Sequence, residues 1–161
     1  MGVTIEGIST NTTKQILLNA LKEIIIRNHP NGKINFFKEI MFEDFIRRKT
    51  DDFTIDIYDD EFGVIMTASS KFQFNFVHKG LSKYLPFIKF DINETSMFFK
   101  FDRCRDGKTI ERIVITDSSE RKISYPYEDP KQKFTIEEYE DIFFDSFPRF
   151  IFRRYTLNRI E

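Results

Sequence analysis

Acidic side chains cluster within and before the turn that is predicted over residues 59–63. The six carboxylates are Asp51, Asp52, Asp56, Asp59, Asp60 and Glu61. A calcium loop would need oxygen ligands that converge on one point, and the spacing Asp-x-Asp-x-Asp-Gly does not occur here, so we expect no metal. The stretch is interpreted as a partner-binding surface that fits a basic groove on another protein. The alternative is a solvated strand edge and turn, because turns favour Asp.

Arginines alternate with aromatic residues near the C-terminal end. The arginines are Arg149, Arg153, Arg154 and Arg159, and Phe150, Phe152 and Tyr155 lie between them. Cations interleaved with aromatic rings suit RNA or an acidic protein surface, so this segment is the alternative basic patch. A terminal helix would explain the same residues, because its C-terminal cations complement the helix dipole and acidic residues precede them over 137–145.

The sequence holds no pattern typical of an enzyme. Glu120-Arg121-Lys122 resembles the carboxylate and lysine of a metal-dependent nuclease, but so short a match is common in a chain with this much charge. His29 and His78 have no sequence neighbours that suggest a catalytic triad. We therefore expect no catalytic residues and no cofactor, with a hydrolase site assembled from distant residues as the rival interpretation.

Charge balance and the single cysteine limit the compartment and the partners. The 161 residues include 25 basic and 26 acidic residues, so no global field attracts DNA or an anionic membrane. Apolar runs are too short for a membrane span, and the start lacks the pattern of a signal peptide. Cys104 cannot form an intrachain disulfide, which predicts a cytoplasmic location. It lies between Arg103 and Arg105, and these cations would lower its pKa if they stay close.

Two helices are predicted in the first third of the chain. Apolar residues from Ile16 to Ile25 recur at helical spacing, which predicts a helix over 12–28 that ends before Pro30. Residues 35–49 fit a second helical stripe, although period two fits in part. We expect helix there because Glu39 and Glu43 would be poorly placed in a buried strand.

The period changes to two after Asp51 and returns to helical near Thr135. Residues 3–8 alternate weakly, as in an edge strand or a loose arm. The alternating segments are 53–57, 64–68, 72–76, 87–92, 97–103, 109–116 and 122–125. Asp106-Gly107 is the strongest hairpin signal, and the short spacing favours antiparallel pairing. Thr135 and Glu138 form a capping box that begins a long terminal helix reaching Tyr155 and beyond.

The predicted fold is a single α+β domain over residues 1–161. It has an antiparallel β-meander of five to seven strands, two N-terminal helices and a long C-terminal helix. By elimination we expect a protein-binding module, an inhibitor or toxin-neutralising (immunity-type) protein that blocks a partner. The alternatives are a carrier of a small hydrophobic ligand, with its cavity between the sheet and the C-terminal helix, and a nucleic-acid-binding protein that uses the C-terminal arginines.

Overall fold

Alternating side chains place most of the described chain in strands. The computed structural model describes residues 4–28, 31–41, 43–44, 54–61, 63–68, 80–93, 95–96, 98–116, 119–124 and 149–157. These residues form one long helix, α1 (Lys14–Asn28), and nine strands. The strands are β1 (Thr4–Thr10), β2 (Ile34–Ile40), β3 (Thr54–Asp60), β4 (Gly63–Ala68), β5 (Phe87–Asn93), β6 (Phe98–Arg105), β7 (Lys108–Thr116), β8 (Ser119–Ser124) and β9 (Phe152–Leu157).

The nine strands form one sheet in the order β2-β9-β3-β4-β1-β5-β6-β7-β8. Every neighbouring pair is antiparallel, so the antiparallel prediction is confirmed. The meander is limited to β5–β8. Strand β1 was expected at an edge or as a loose arm, but it lies between β4 and β5, and β9 lies between β2 and β3. The predicted strand over 72–76 lies outside the described residues.

Helix α1 confirms the prediction over 12–28. Thr13 caps its start: the Thr13 hydroxyl accepts a hydrogen bond from the Ile16 N–H at 3.3 Å, which satisfies one of the free donors of the first turn. Leu17, Leu21 and Ile24 are buried and pack on one side of the sheet, called here the helix face. The spacing that predicted the helix therefore also forms its contact with the core.

The second predicted N-terminal helix is wrong, because residues 34–40 form β2. The helix is predicted because the Glu39 carboxylate would be unfavourable in a buried strand. In fact β2 is the end strand of the described sheet, and its residues 35–39 are all exposed. A carboxylate at such a position stays in water at no cost. The rest of the predicted helix, apart from the helical pair Glu43 and Asp44, lies largely outside the described residues.

The long C-terminal helix is also corrected, because residues 152–157 form β9. Phe152 and Arg154 point to one face of the sheet, and Arg153 and Tyr155 point to the other. This alternation of period two was masked by the near-continuous run of aromatic and basic residues. The alternative of a ligand carrier needs a C-terminal helix that closes its cavity against the sheet. Over residues 152–157 the chain forms strand β9 instead of that helix. Residues 135–148 lie outside the described part.

The hairpin between β6 and β7 turns at the residues that the sequence indicated. Asp106 and Gly107 have φ angles of 53° and 77°. Two successive residues in the left-handed region match the twist of an antiparallel hairpin, and Asp-Gly is among the pairs that adopt this conformation most readily. The prediction of a turn at Asp106-Gly107 is confirmed.

A second apolar cluster lies on the face opposite α1. It includes Ile5 and Phe90 of the central strands and reaches Phe152 of β9. Gly7 in β1 leaves room for the Phe90 ring, because a Cβ atom there would lie 2.5 Å from both that ring and the Met66 carbonyl oxygen. The central place of β1 therefore depends on a residue without a side chain.

Replacing Gly7 by Ala tests this close approach. We expect Gly7→Ala to lower the free energy of unfolding by about 1–3 kcal/mol, the usual cost of overpacking a core. Gly80→Ala is the matched control, because the nearest described atoms to its Cβ would be those of the Ile24 side chain at 3.4 Å, an ordinary contact distance, and we expect it to change stability by less than about 0.5 kcal/mol. Urea unfolding at pH 7 measures both variants. Equal stability of the two would contradict the packing around β1.

Candidate partner-binding surface

The turn between β3 and β4 exposes three consecutive carboxylates: Asp59, Asp60 and Glu61. The Asp60 carboxylate accepts hydrogen bonds from the Gly63 N–H at 3.2 Å and from the Tyr58 hydroxyl at 3.1 Å. Asp60 therefore shapes the turn as well as carrying charge. The other two acids extend the charge along the tip of the hairpin.

An aromatic stack supports the hairpin tip from the side. The rings of Tyr58 and Phe150 are nearly parallel, at 4°, with their centroids 3.7 Å apart. Burial raises the pKa of Tyr58, and the hydrogen bond to Asp60 and the charges of Asp60 and Asp59 raise it further. The Tyr58 hydroxyl is thus held protonated as a donor to Asp60. The segment that precedes β9 is thereby fixed against the β3–β4 hairpin.

Two large apolar side chains are exposed at the same end of the sheet. Ile151 is 59% exposed and Met41 is 63% exposed. Ile40 pairs with Phe152 in the antiparallel β2–β9 register. Met41 comes directly after Ile40 and Ile151 directly before Phe152, so both lie at the same end of these two strands. Arg149 is exposed nearby in sequence. The tip surface is defined here as Met41, Asp59, Asp60, Glu61, Arg149 and Ile151.

Asp56 belonged to the predicted acidic surface, but the structure places it in the interior. It is fully buried, and its two carboxylate oxygens accept hydrogen bonds from Arg154: Nε to Oδ1 at 2.9 Å and Nη2 to Oδ2 at 3.2 Å. A paired, buried carboxylate cannot contact a partner. Asp51 and Asp52 lie outside the described residues. The exposed part of the acidic stretch is therefore the hairpin tip alone.

The predicted basic patch is divided by the strand that carries it. Arg149 and Arg153 are exposed, whereas Arg154 is buried against Asp56. Arg153 and Arg154 lie on opposite faces of β9, because successive side chains of a strand alternate. Arg159 lies outside the described residues. The structure therefore does not bring Arg153 and Arg154 together on one surface.

Cys104 is a buried thiol on the helix face of β6. Burial raises its pKa to about 11, and the nearby Asp102 also raises it, while a hydrogen bond to Thr109 acts in the other direction. The sequence suggested the opposite shift because Arg103 and Arg105 flank the cysteine. In a strand these two arginines point away from the face that carries Cys104, so their charges do not stabilise the thiolate.

Within the described ranges, no group of three His, Cys, Asp or Glu side chains is arranged to hold a metal ion. In the same part of the chain, no helix is long and apolar enough to cross a membrane. No protein-family model, no curated protein and no solved structure matches the chain.

The buried thiol yields a direct test of the packing around β6. We expect a thiol reagent at pH 8 to react with native Cys104 at least about 10²-fold more slowly than with the urea-unfolded chain, because the native thiol is protonated and shielded. Cys104 is the single cysteine, so the reaction reports one site. Cys104→Ser, which should not react, gives the background. A native rate within tenfold of the unfolded rate would contradict the burial.

Proposed function

We propose that the protein is a non-enzymatic binding module of the inhibitor or immunity type, which blocks a partner protein in the cytoplasm. It binds this partner through the tip surface. The observation that carries the proposal is that three exposed carboxylates lie at the same end of the sheet as the exposed side chains of Met41 and Ile151. The single buried thiol suits the reducing compartment.

The composition of the tip surface resembles that of a protein interface. Interface cores are depleted of charge and enriched in residues such as Met, and charged residues lie at the rim. Met41 and Ile151 would supply the apolar centre. The carboxylates at the rim would attract a basic partner and speed its association more than they strengthen the final complex.

The rigidity of the hairpin tip supports the proposal that the protein is an inhibitor. Asp60 accepts two hydrogen bonds within the hairpin, and the Tyr58–Phe150 stack fixes its side. At Gly63, which has φ +152°, a Cβ would clash with the carbonyl of Thr10, so the tip lies close against the end of β1. A surface that is already formed loses little conformational freedom on binding, and this favours a tight complex.

Neutralising the tip tests the proposal. The variant is Asp59→Asn, Asp60→Asn, Glu61→Gln, in which the amide at position 60 keeps one oxygen as acceptor for the Gly63 N–H, while its NH2 group can donate to the Tyr58 hydroxyl. We expect stability to change by less than about 1 kcal/mol, as is usual at surface positions. We expect partner association to slow by about tenfold or more at low salt, and the difference to shrink as ionic strength rises.

The matched control removes three exposed carboxylates outside the tip surface: Glu6→Gln, Glu23→Gln and Asp106→Asn. Wild type and control are used as baits in a lysate of the native host, and a protein that both capture is identified by mass spectrometry. Association rates of the purified pair are then measured against ionic strength. Rates that are the same for wild type and tip variant at every salt concentration would exclude the acidic tip from the interface.

A further inference from the structure

Two carboxylates face each other where β1 joins β5. The register pairs Glu6 with Asp91, and Asp91 in turn with Lys100 of β6. Side chains directly opposite each other in antiparallel strands lie on one face and interact, and like charges at such positions repel. Glu6 and Asp91 therefore form an unfavourable pair whenever both are ionised.

The cations around this pair are shared with other carboxylates. Lys89 Nζ lies 3.3 Å from Glu6 Oε1, and Lys100 Nζ lies 3.6 Å from Asp102 Oδ2. Asp102 also accepts two hydrogen bonds from Arg112, at 2.6 and 3.0 Å. The lysines offset part of the repulsion without removing its cause.

These surroundings raise the pKa of Asp91 above its ordinary value. Its partial burial raises its pKa, and the charge of Glu6 raises it further. Lys100 and Lys89 act in the opposite direction, and Asp102 adds a smaller upward contribution. The folded state thus binds a proton at Asp91 more tightly than the unfolded chain does.

Among the described residues, the start of β1 pairs with β5 alone. Thr4, Ile5 and Glu6 pair with β5, whereas the pairing with β4 begins at Gly7. A change in the interaction between Glu6 and Asp91 therefore affects the pairing of the start of β1 with β5. Segments with fewer paired neighbours open more easily than the centre of a sheet.

We propose that the Glu6–Asp91 contact is a pH-sensitive latch on the first half of β1, which tightens in acid and loosens at neutral pH. Asp91 takes a proton from solvent, the like-charge repulsion across β1 and β5 is removed, and the protonated carboxyl can donate a hydrogen bond to Glu6. The latch is independent of the tip surface, which lies at the other end of β1. It gives the N-terminal strand a condition-dependent attachment.

The sign of the pH dependence follows from the direction of the shift. A carboxyl whose pKa is raised on folding adds stability as pH falls from neutral through the raised pKa towards the ordinary value of 3.8. Protection of the first half of β1 should therefore rise over this range. An ordinary salt-bridged carboxylate would give the opposite trend.

Hydrogen exchange of the full chain, corrected for the intrinsic pH dependence of exchange, tests the latch. We expect the protection of amides 5–7 to increase by about two- to fivefold between pH 7 and acid, since that is the range of a cross-strand charge pair. Asp91→Asn should show the higher protection at both pH values. Glu6→Gln should reduce the pH dependence and leave the part that comes from the burial of Asp91, and it serves as the second variant should Asp91→Asn fold poorly.

Asp106→Asn is the control, because this carboxylate is exposed in the β6–β7 turn and its loss should leave the wild-type pH response unchanged. Amides of the β3–β4 hairpin provide an internal reference for global unfolding. Protection in wild type that is constant or falls in acid would overturn the proposal. An unchanged pH response in Glu6→Gln would overturn it as well.

Discussion

A buried ion pair between Asp56 of β3 and Arg154 of β9 holds together parts of the sheet that are 98 residues apart in sequence. Removing two charges from water costs several kcal/mol per ion, so either residue alone would be strongly unfavourable in this position. Two effects therefore stabilise the position of β9 between β2 and β3: the ion pair of Arg154 with Asp56, and the burial of the Phe152 side chain. Because β2 pairs with β9, the place of Met41 in the tip surface depends on the same contact.

Elements with local signals could be predicted from the sequence. Helix α1 was visible in the spacing of its apolar residues, and the β6–β7 hairpin in Asp106-Gly107. Strands β2 and β9 were missed because their partners are distant. Phe36 fits either period, and only its position in an end strand explains why Glu39 is tolerated there. From the sequence alone Arg154 is predicted to be a surface cation, because only the fold places Asp56 opposite to it. That residues 1–161 form one domain stays a prediction.

The candidate site was predictable where it coincides with a turn. Asp59, Asp60 and Glu61 lie at the hairpin tip, as acidic residues in a turn do. Asp56 was grouped with them because it is close in sequence, although strand alternation places it on the face opposite Ile55 and Ile57. The exposed Met41 and Ile151 share an end of the sheet through pairing over more than 100 residues, and no sequence pattern reports such a pairing.

A double-mutant cycle in urea unfolding measures whether Asp56 and Arg154 interact as a buried ion pair. Arg154→Met and Asp56→Leu should each cost about 3–5 kcal/mol, because each leaves the other charge buried and alone. The double variant should lose much less than the sum of the two, which gives a large coupling free energy. Arg153→Met, the exposed neighbour on the same strand, should change stability by less than about 0.5 kcal/mol. Additive single losses, with a coupling near zero, would contradict the pairing of Asp56 with Arg154 and with it the place of β9 in the sheet.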